Sequence, residues 1–279
     1  MEYTNFTTLR VDVAAGIARV TFDNGPINLM DMPMLGDLAR AGQMLATDPA
    51  VKVVILQSAN PEFFIAHADV SAIQQLPAEP APRDEKLGMV HAIIDQFRTM
   101  PKATIAKIEG RCRGGGSELA LACDMRFAAI GRAVLCQPEL GVGIIPGAGG
   151  SARLPRLVGR GRALEIILGC ADFNAETAER YGWVNRALPA NEIDMFVNAL
   201  ATRIAGFPAS TLALAKQMVD ATDSTLERDL ALEERLFLRS AASAPAKARM
   251  AAALGAGMQT KGMEMCCFTH IWGPMAGLE

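Results

Sequence analysis

Leu9, Val11 and Val13 alternate with polar residues, and the run Ile17 to Phe22 follows directly after Gly16. A period of two interrupted by glycine predicts a hairpin. Asp31 stands just before Met34, Leu35, Leu38 and Leu45, which recur at helical spacing, so a capped helix is expected there. The run Val51 to Leu56 reads as a buried strand. The stretch 75–85 carries Pro77, Pro80 and Pro82 and is expected to be a loop. Leu87, Val90, Ile93, Ile94 and Phe97 then mark an amphipathic helix. A strand over 104–109 runs into Gly114, Gly115 and Gly116, which open a third, apolar helix.

The second half changes character. A further glycine cluster spans Gly143 to Gly150. Asn174 is placed to cap a helix that stops at Gly182, and Val184 to Leu188 predicts a last short strand. Beyond about Glu192 the pattern is helical throughout. Ser224-x-x-Glu227 has the form of a capping box, and Leu226, Leu230, Glu233 and Phe237 follow on one mostly apolar face. No internal repeat is visible. Strands and helices alternating before an all-helical stretch predict an α/β core over 1–200. The helical region over 201–279 is expected to pack on that core or on another subunit.

Composition narrows the class. The 279 residues are 51% hydrophobic with a formal net charge of −3, so nothing electrostatic points to a nucleic-acid partner. The six cysteines form no CxxC pair, and His67, His91 and His270 lie far apart. Neither a metal site nor a disulfide framework is expected, and a reducing cytoplasm is the simplest compartment. The N-terminal residues carry no basic-plus-apolar leader pattern, and no apolar run approaches a membrane span.

The candidate chemistry sits at Gly114-Gly115-Gly116-Ser117-Glu118. Backbone N–H groups at a helix start lack intrahelical partners, glycine lets another molecule approach them, and the helix dipole favours negative charge there. Such a cradle can stabilise an oxyanion, and Glu118 is a candidate acid or base one turn away. Glu139 follows 21 residues later, after what reads as a helix and a return strand. Two carboxyls in different environments can divide acid and base roles. The alternative is a pair of unrelated glutamates. Three other motifs fail on their own terms. The P-loop outline Gly110-x-x-x-x-Gly115-Gly116-Ser117 has glycine where lysine is needed. The nucleophile-elbow outline at Gly115 lacks its final glycine. The G-x-G-x-x-A match at Gly147 has Pro155 after it and no acidic residue about 20 positions on.

Several linked segments resemble the crotonase (enoyl-CoA hydratase/isomerase) superfamily: Ile105 to Gly110 with Gly114 to Ala120, Gln137-Pro138-Glu139 with Gly143 to Gly150, Arg153 to Gly159, and Phe64 to Val70. The resemblance covers most of residues 8–255 and implies a spiral of ββα turns. It also implies a helical C-terminal trimerisation region, assembly as a homotrimer or dimer of trimers, and an acyl-CoA thioester substrate. The thioester oxygen would accept from the backbone N–H groups of Ala68 and Gly115. Glu118 would activate water for the β-carbon, and Glu139 would deliver a proton to the α-carbon. Substrate contacts would come from Asn28, Ala66, His67, Asp69, Val70 and Gly147. No metal or redox cofactor is implied, coenzyme A being part of the substrate.

His67 stands where the family commonly has glycine. Histidine is among the non-glycine residues found at positive φ, which makes it a tolerated turn residue. The alternative is an imidazole that contacts the thioester or the coenzyme A arm. The segment Asn24 to Asp31 is looser than the family pattern, and Cys266 to Trp272 matches nothing in it. The sequence thus reads as an enoyl-CoA hydratase acting in the cytoplasm, as in fatty-acid β-oxidation. The alternatives are an isomerase or other acyl-CoA reaction on the same platform, and a non-catalytic protein that binds coenzyme A esters.

Overall fold

The computed structural model describes residues 1–77, 87–266 and 268. The expected hairpin is formed by β1 (Leu9–Ala14) and β2 (Ile17–Phe22). Helix α1 (Met32–Thr47) starts at Asp31, whose side chain accepts from the Met34 N–H at 2.9 Å. Next come β3 (Val53–Ser58), β4 (Phe63–Ile65), α2 (Val70–Gln74) and α3 (Met89–Thr99). They are followed by β5 (Ala103–Ile108), β6 (Arg111–Arg113) and α4 (Gly115–Ala122). The third repetition is β7 (Met125–Ile130), β8 (Val134–Cys136), a 3-10 turn (Glu139–Val142), α5 (Gly150–Val158) and α6 (Arg160–Gly169). The chain continues through β9 (Phe173–Asn174), α7 (Ala175–Tyr181) and β10 (Arg186–Pro189). Helices α8 (Ile193–Ala205), α9 (Ala209–Asp220), α10 (Leu226–Ala241), α11 (Ala244–Gly255) and α12 (Lys261–Cys266) complete it.

Among the described residues the strands form two sheets, ordered β1-β2-β3-β5-β7-β10 and β4-β6-β8-β9. Each of β3, β5 and β7 enters the first sheet, and its successor β4, β6 or β8 enters the second before a helix returns the chain. That is a spiral of ββα turns in an α/β fold. The repeat escapes the sequence because the second strand of each turn is only three residues long. Three residues cannot display a period of two.

The main core fills the space between the sheets and α1, α3, α4 and α5. A separate cluster joins Val70, Cys136, Val142 and Ile144 to Ala241, Ala246 and Met250, so α10 and α11 share apolar contacts with the loops at the sheet ends. The division at 200/201 falls inside α8. No helix among the described residues is long and apolar enough to cross a membrane.

Two local expectations are corrected. The capping box at Ser224 does not form: Thr225 is the N-cap residue and makes no side-chain cap bond. Arg156 takes the Thr225 hydroxyl as acceptor at 2.8 Å instead, and Glu227 points outward near Arg98. The last strand begins at Arg186 rather than Val184. Cys112, Cys123, Cys136 and Cys170 are free and buried, but Cys266 is disulfide-bonded. Much of the proline-bearing loop, residues 78–86, lies outside the described residues, as do 267 and 269–279.

Candidate active site

The ends of β4, β6 and β8 meet around a cavity of about 260 Å³. Its walls are largely apolar, with Met30, Val70, Ile73, Leu76, Val142 and Phe237 among them. Ala68, Gly115, Glu118 and Glu139 all line it, together with the polar side chains of Asp31, His67 and Asp69.

The backbone dictates where the two amides point. His67 O accepts from the Met30 N–H at 2.9 Å. A trans peptide holds C=O and N–H on opposite sides, so the Ala68 N–H is turned away from Met30. On the other wall, Gly114 adopts φ 48° and turns the chain from β6 into α4. A Cβ there would lie 3.1 Å from Glu139 Oε1 and 3.2 Å from His67 Cβ, so only glycine suits both the angle and the space. Gly115 is the first helical residue, and a Cβ on it would be 3.5 Å from Ala68 N. The two amides are therefore neighbours. Neither donates to another described residue.

Glu118 lies one turn into α4, a helix whose every residue is buried. Its Oε1 accepts from the N–H groups of Ala148 (2.8 Å) and Gly150 (2.9 Å), across the cavity in the turn before α5. Burial raises its proton affinity, while those amides and Arg153 oppose the rise. Glu139 begins the 3-10 turn after β8, and the side-chain bonds it receives are the longer ones from Gln137 Nε2, at 3.2 and 3.3 Å. Burial, then the neighbouring Glu118 charge, push its carboxyl well above the usual range. Two carboxyls share one cavity, and their surroundings favour ionisation of Glu118 over Glu139.

The turn at 147–152 divides its amides between two acceptors. Glu118 takes 148 and 150. Glu233 on α10 accepts from Gly149 (3.1 Å) and Ser151 (3.3 Å) on Oε1, and from Ala152 (3.2 Å) on Oε2. Arg153 ties the same turn to the core through Ala148 O (3.2 Å) and Asp95 Oδ1 (2.7 Å). Burial, then Glu118, push the Glu233 carboxyl up to about 8. In the sequence Glu233 is one position on a mostly apolar face with Leu226, Leu230 and Phe237. That break was the available signal, since a carboxylate on a buried face requires donors.

The remaining sequence candidates separate. His67, Asp69, Val70 and Gly147 line the cavity. Asp69 also caps α2 through the Ser71 N–H at 2.9 Å. Asn28 and Ala66 do not line it. Asn28 is buried at φ 51°, with Nδ2 bonded to Ser58 Oγ, Phe63 O and Phe64 O, so it anchors the strand that leads to Ala68. Ala66 donates to Ile27 O and packs with Ile27 and Phe63. His67 is not among the positive-φ residues, which corrects its reading as a turn residue. Its ring is buried, with Nδ1 2.7 Å from Ala68 O and Nε2 2.9 Å from Glu264 Oε1.

Comparison with known proteins points the same way. The family described as Enoyl-CoA hydratase/isomerase matches residues 12–259. Crotonyl-CoA hydratase of Syntrophomonas wolfei is 34% identical over 221 residues, 78% of this chain and 84% of its own length. Short-chain-enoyl-CoA hydratase of Clostridium acetobutylicum is 30% identical over 76% of this chain and 80% of its own. The crystal structure of a candidate enoyl-CoA hydratase from Streptomyces avermitilis superposes with a TM-score of 0.88 at 37% identity, covering 98% of this chain and 99% of that one. The chain belongs to the enoyl-CoA hydratase/isomerase family.

Proposed function

We propose that this protein is an enoyl-CoA hydratase, adding water to a trans-2-enoyl-CoA to give the 3-hydroxyacyl-CoA. The observation that carries the reading is one cavity holding two neighbouring amides with no partner among the described residues and two buried carboxyls, one bonded by two backbone N–H groups and the other only by longer bonds from Gln137 among its side-chain contacts.

The thioester oxygen accepts from the Ala68 and Gly115 N–H groups, which strengthens as negative charge develops on it. Ionised Glu118 takes a proton from a water molecule, and the hydroxyl oxygen bonds to the β-carbon. The double-bond electrons move toward the thioester oxygen as an enolate. Protonated Glu139 then gives its proton to the α-carbon, leaving a neutral Glu118 and an ionised Glu139. The reverse direction eliminates water by the same groups. The carboxyls and amides account for every proton and charge that moves, with coenzyme A entering as part of the substrate.

Leu76, Met89 and Val90 border the apolar end of the cavity and suit the acyl chain. The proposed setting is fatty-acid β-oxidation in the cytoplasm. Assembly as a trimer or dimer of trimers is supported by α9, which buries no residue and exposes Leu214, Met218 and Val219.

The test is crotonyl-CoA hydration by Glu118→Gln and Glu139→Gln. Each is expected to lose about 10²–10⁴-fold in kcat while retaining affinity for the coenzyme A ester. Near-normal turnover in either would remove the assigned roles. Product mass separates the alternatives, since hydration adds water and isomerisation leaves the mass unchanged.

A further inference from the structure

The loop that carries the Ala68 amide is gripped from two sides. On its inner side, Met30 donates to His67 O (2.9 Å) and accepts from the Asp69 N–H (3.1 Å). On its outer side the grip comes from more than 180 residues along the chain. Glu264 on α12 bonds His67 Nε2 at 2.9 Å. Gln259, just before α12, accepts from the Val70 N–H at 3.0 Å and donates from Nε2 to Asp69 Oδ1 at 3.0 Å. Its own N–H donates to Glu264 Oε1 at 3.0 Å, so the two contacts share one carboxylate oxygen. Residues 67, 69 and 70 are all engaged, and the Ala68 N–H is the group left over.

The donor set at His67 defines what Glu264 does. Ala68 O can only accept, so His67 Nδ1 must carry a proton toward it. That bond closes the ring against the residue whose N–H faces the cavity. On the opposite side of the ring, Nε2 faces Glu264 Oε1, so both ring nitrogens are engaged. Glu264 is itself fully buried and backed by Arg113, whose Nη1 lies 3.5 Å from its Oε2 and donates to its backbone carbonyl at 3.0 Å. Arg113 is in turn held by Asp172 at 2.6 and 2.8 Å and stands over the Phe268 ring. His67, Arg113 and the Gln259 amide keep the Glu264 carboxyl below its ordinary value against burial.

We propose that residues 259–264 are a working part of the active site: Glu264, through His67, and Gln259, through Asp69 and Val70, are positioning residues that set the angle at which the Ala68 amide meets the thioester oxygen. Neither touches the reacting atoms. The proposal rests on the oxyanion role of Ala68 given above.

The test is infrared difference spectroscopy of a bound enoyl-CoA carrying a labelled thioester carbonyl, with steady-state kinetics on the wild type, E264A, E264Q and Q259A. In the wild type the carbonyl stretch should fall in frequency on binding, because the two amides polarise it. E264A should recover part of the free frequency and lose about 10–100-fold in kcat with KM within about threefold, the cost of a slightly misplaced donor. E264Q keeps an acceptor for His67 and should regain most of that loss. A purely structural role would lower thermal stability but leave the carbonyl frequency of the bound ester unchanged. A frequency and kcat at wild-type values in E264A, or in Q259A if E264A does not fold, overturns the proposal. If the wild-type frequency does not fall, the oxyanion assignment itself fails, and this inference falls with it.

Discussion

The two glycine-rich turns of this chain look alike in sequence and are used in opposite ways. The turn at 114–117 keeps its leading amide unspent: Gly115 N–H has no partner among the described residues and faces a cavity beside Ala68. The turn at 147–152 spends its amides on carboxylates, alternating between Glu118 and Glu233. The difference lies in what each turn faces. The first faces a space bounded by apolar side chains, so its donor waits for a ligand. The second is covered by α10, which brings an acceptor to it. Glycines at a helix start therefore mark donors, and the packing of a distant helix decides whether those donors open onto a cavity or bond a buried carboxyl.

The largest expected effect comes from closing the first turn. Gly114→Ala forces a Cβ into φ 48° and against both Glu139 and His67. It should displace the Gly115 amide and cost about 10²–10³-fold in kcat for crotonyl-CoA hydration, the cost of losing one oxyanion donor. Kinetics on purified, folded variant checks this.

Loosening the second turn should cost less. Glu233→Gln places an N–H₂ group among the amides of 149, 151 and 152 and removes the charge that Glu233 gains near Glu118 and Glu139 as pH rises through about 8. A decrease of about tenfold in kcat is expected. Because the Glu233 charge helps to push Glu139 up, its removal should move the basic limb of the pH–rate profile to lower pH. Stability should respond with a defined sign. The Glu233 carboxyl is raised from 4.5 to about 8 on folding, so its contribution is fully present below the unfolded value and is lost as pH rises through the folded one. Denaturant unfolding should show wild type losing stability relative to E233Q between about pH 4.5 and 8.

The smallest effect is expected at Ser224, the unused cap. Ser224→Ala should change unfolding stability by no more than about 0.5 kcal/mol, since it removes no cap bond. A formed capping box would cost about 1 kcal/mol instead.

The hairpin, the Asp31-capped helix, the Asn174 cap and the buried β3 were legible because each rests on local physics: alternation, a capping side chain, a continuous apolar run. Glu118 and Glu139 could be singled out because each stands in an apolar run. What brings them to one cavity is the stacking of β6 and β8, strands too short to announce themselves. The roles of Glu233, Gln259 and Glu264 were not legible, because each acts on residues 80 or more positions away through backbone amides or a ring that only tertiary packing delivers. His67 illustrates the limit best. Its departure from the family's glycine was visible, but its partner was not. The sequence alone therefore favoured a local backbone explanation that the structure replaces with a buried hydrogen bond to Glu264.

The central claim, that the first turn serves substrate and the second holds its carboxylate, is tested most directly by a crystal structure with a saturated acyl-CoA. The thioester oxygen is expected at about 2.7–3.1 Å from both Ala68 N and Gly115 N. Glu118 should remain bonded to Ala148 and Gly150, with Glu118 and Glu139 reaching the β- and α-carbons. A thioester oxygen seated on the 147–152 amides, with those of Ala68 and Gly115 left unpaired, would contradict it.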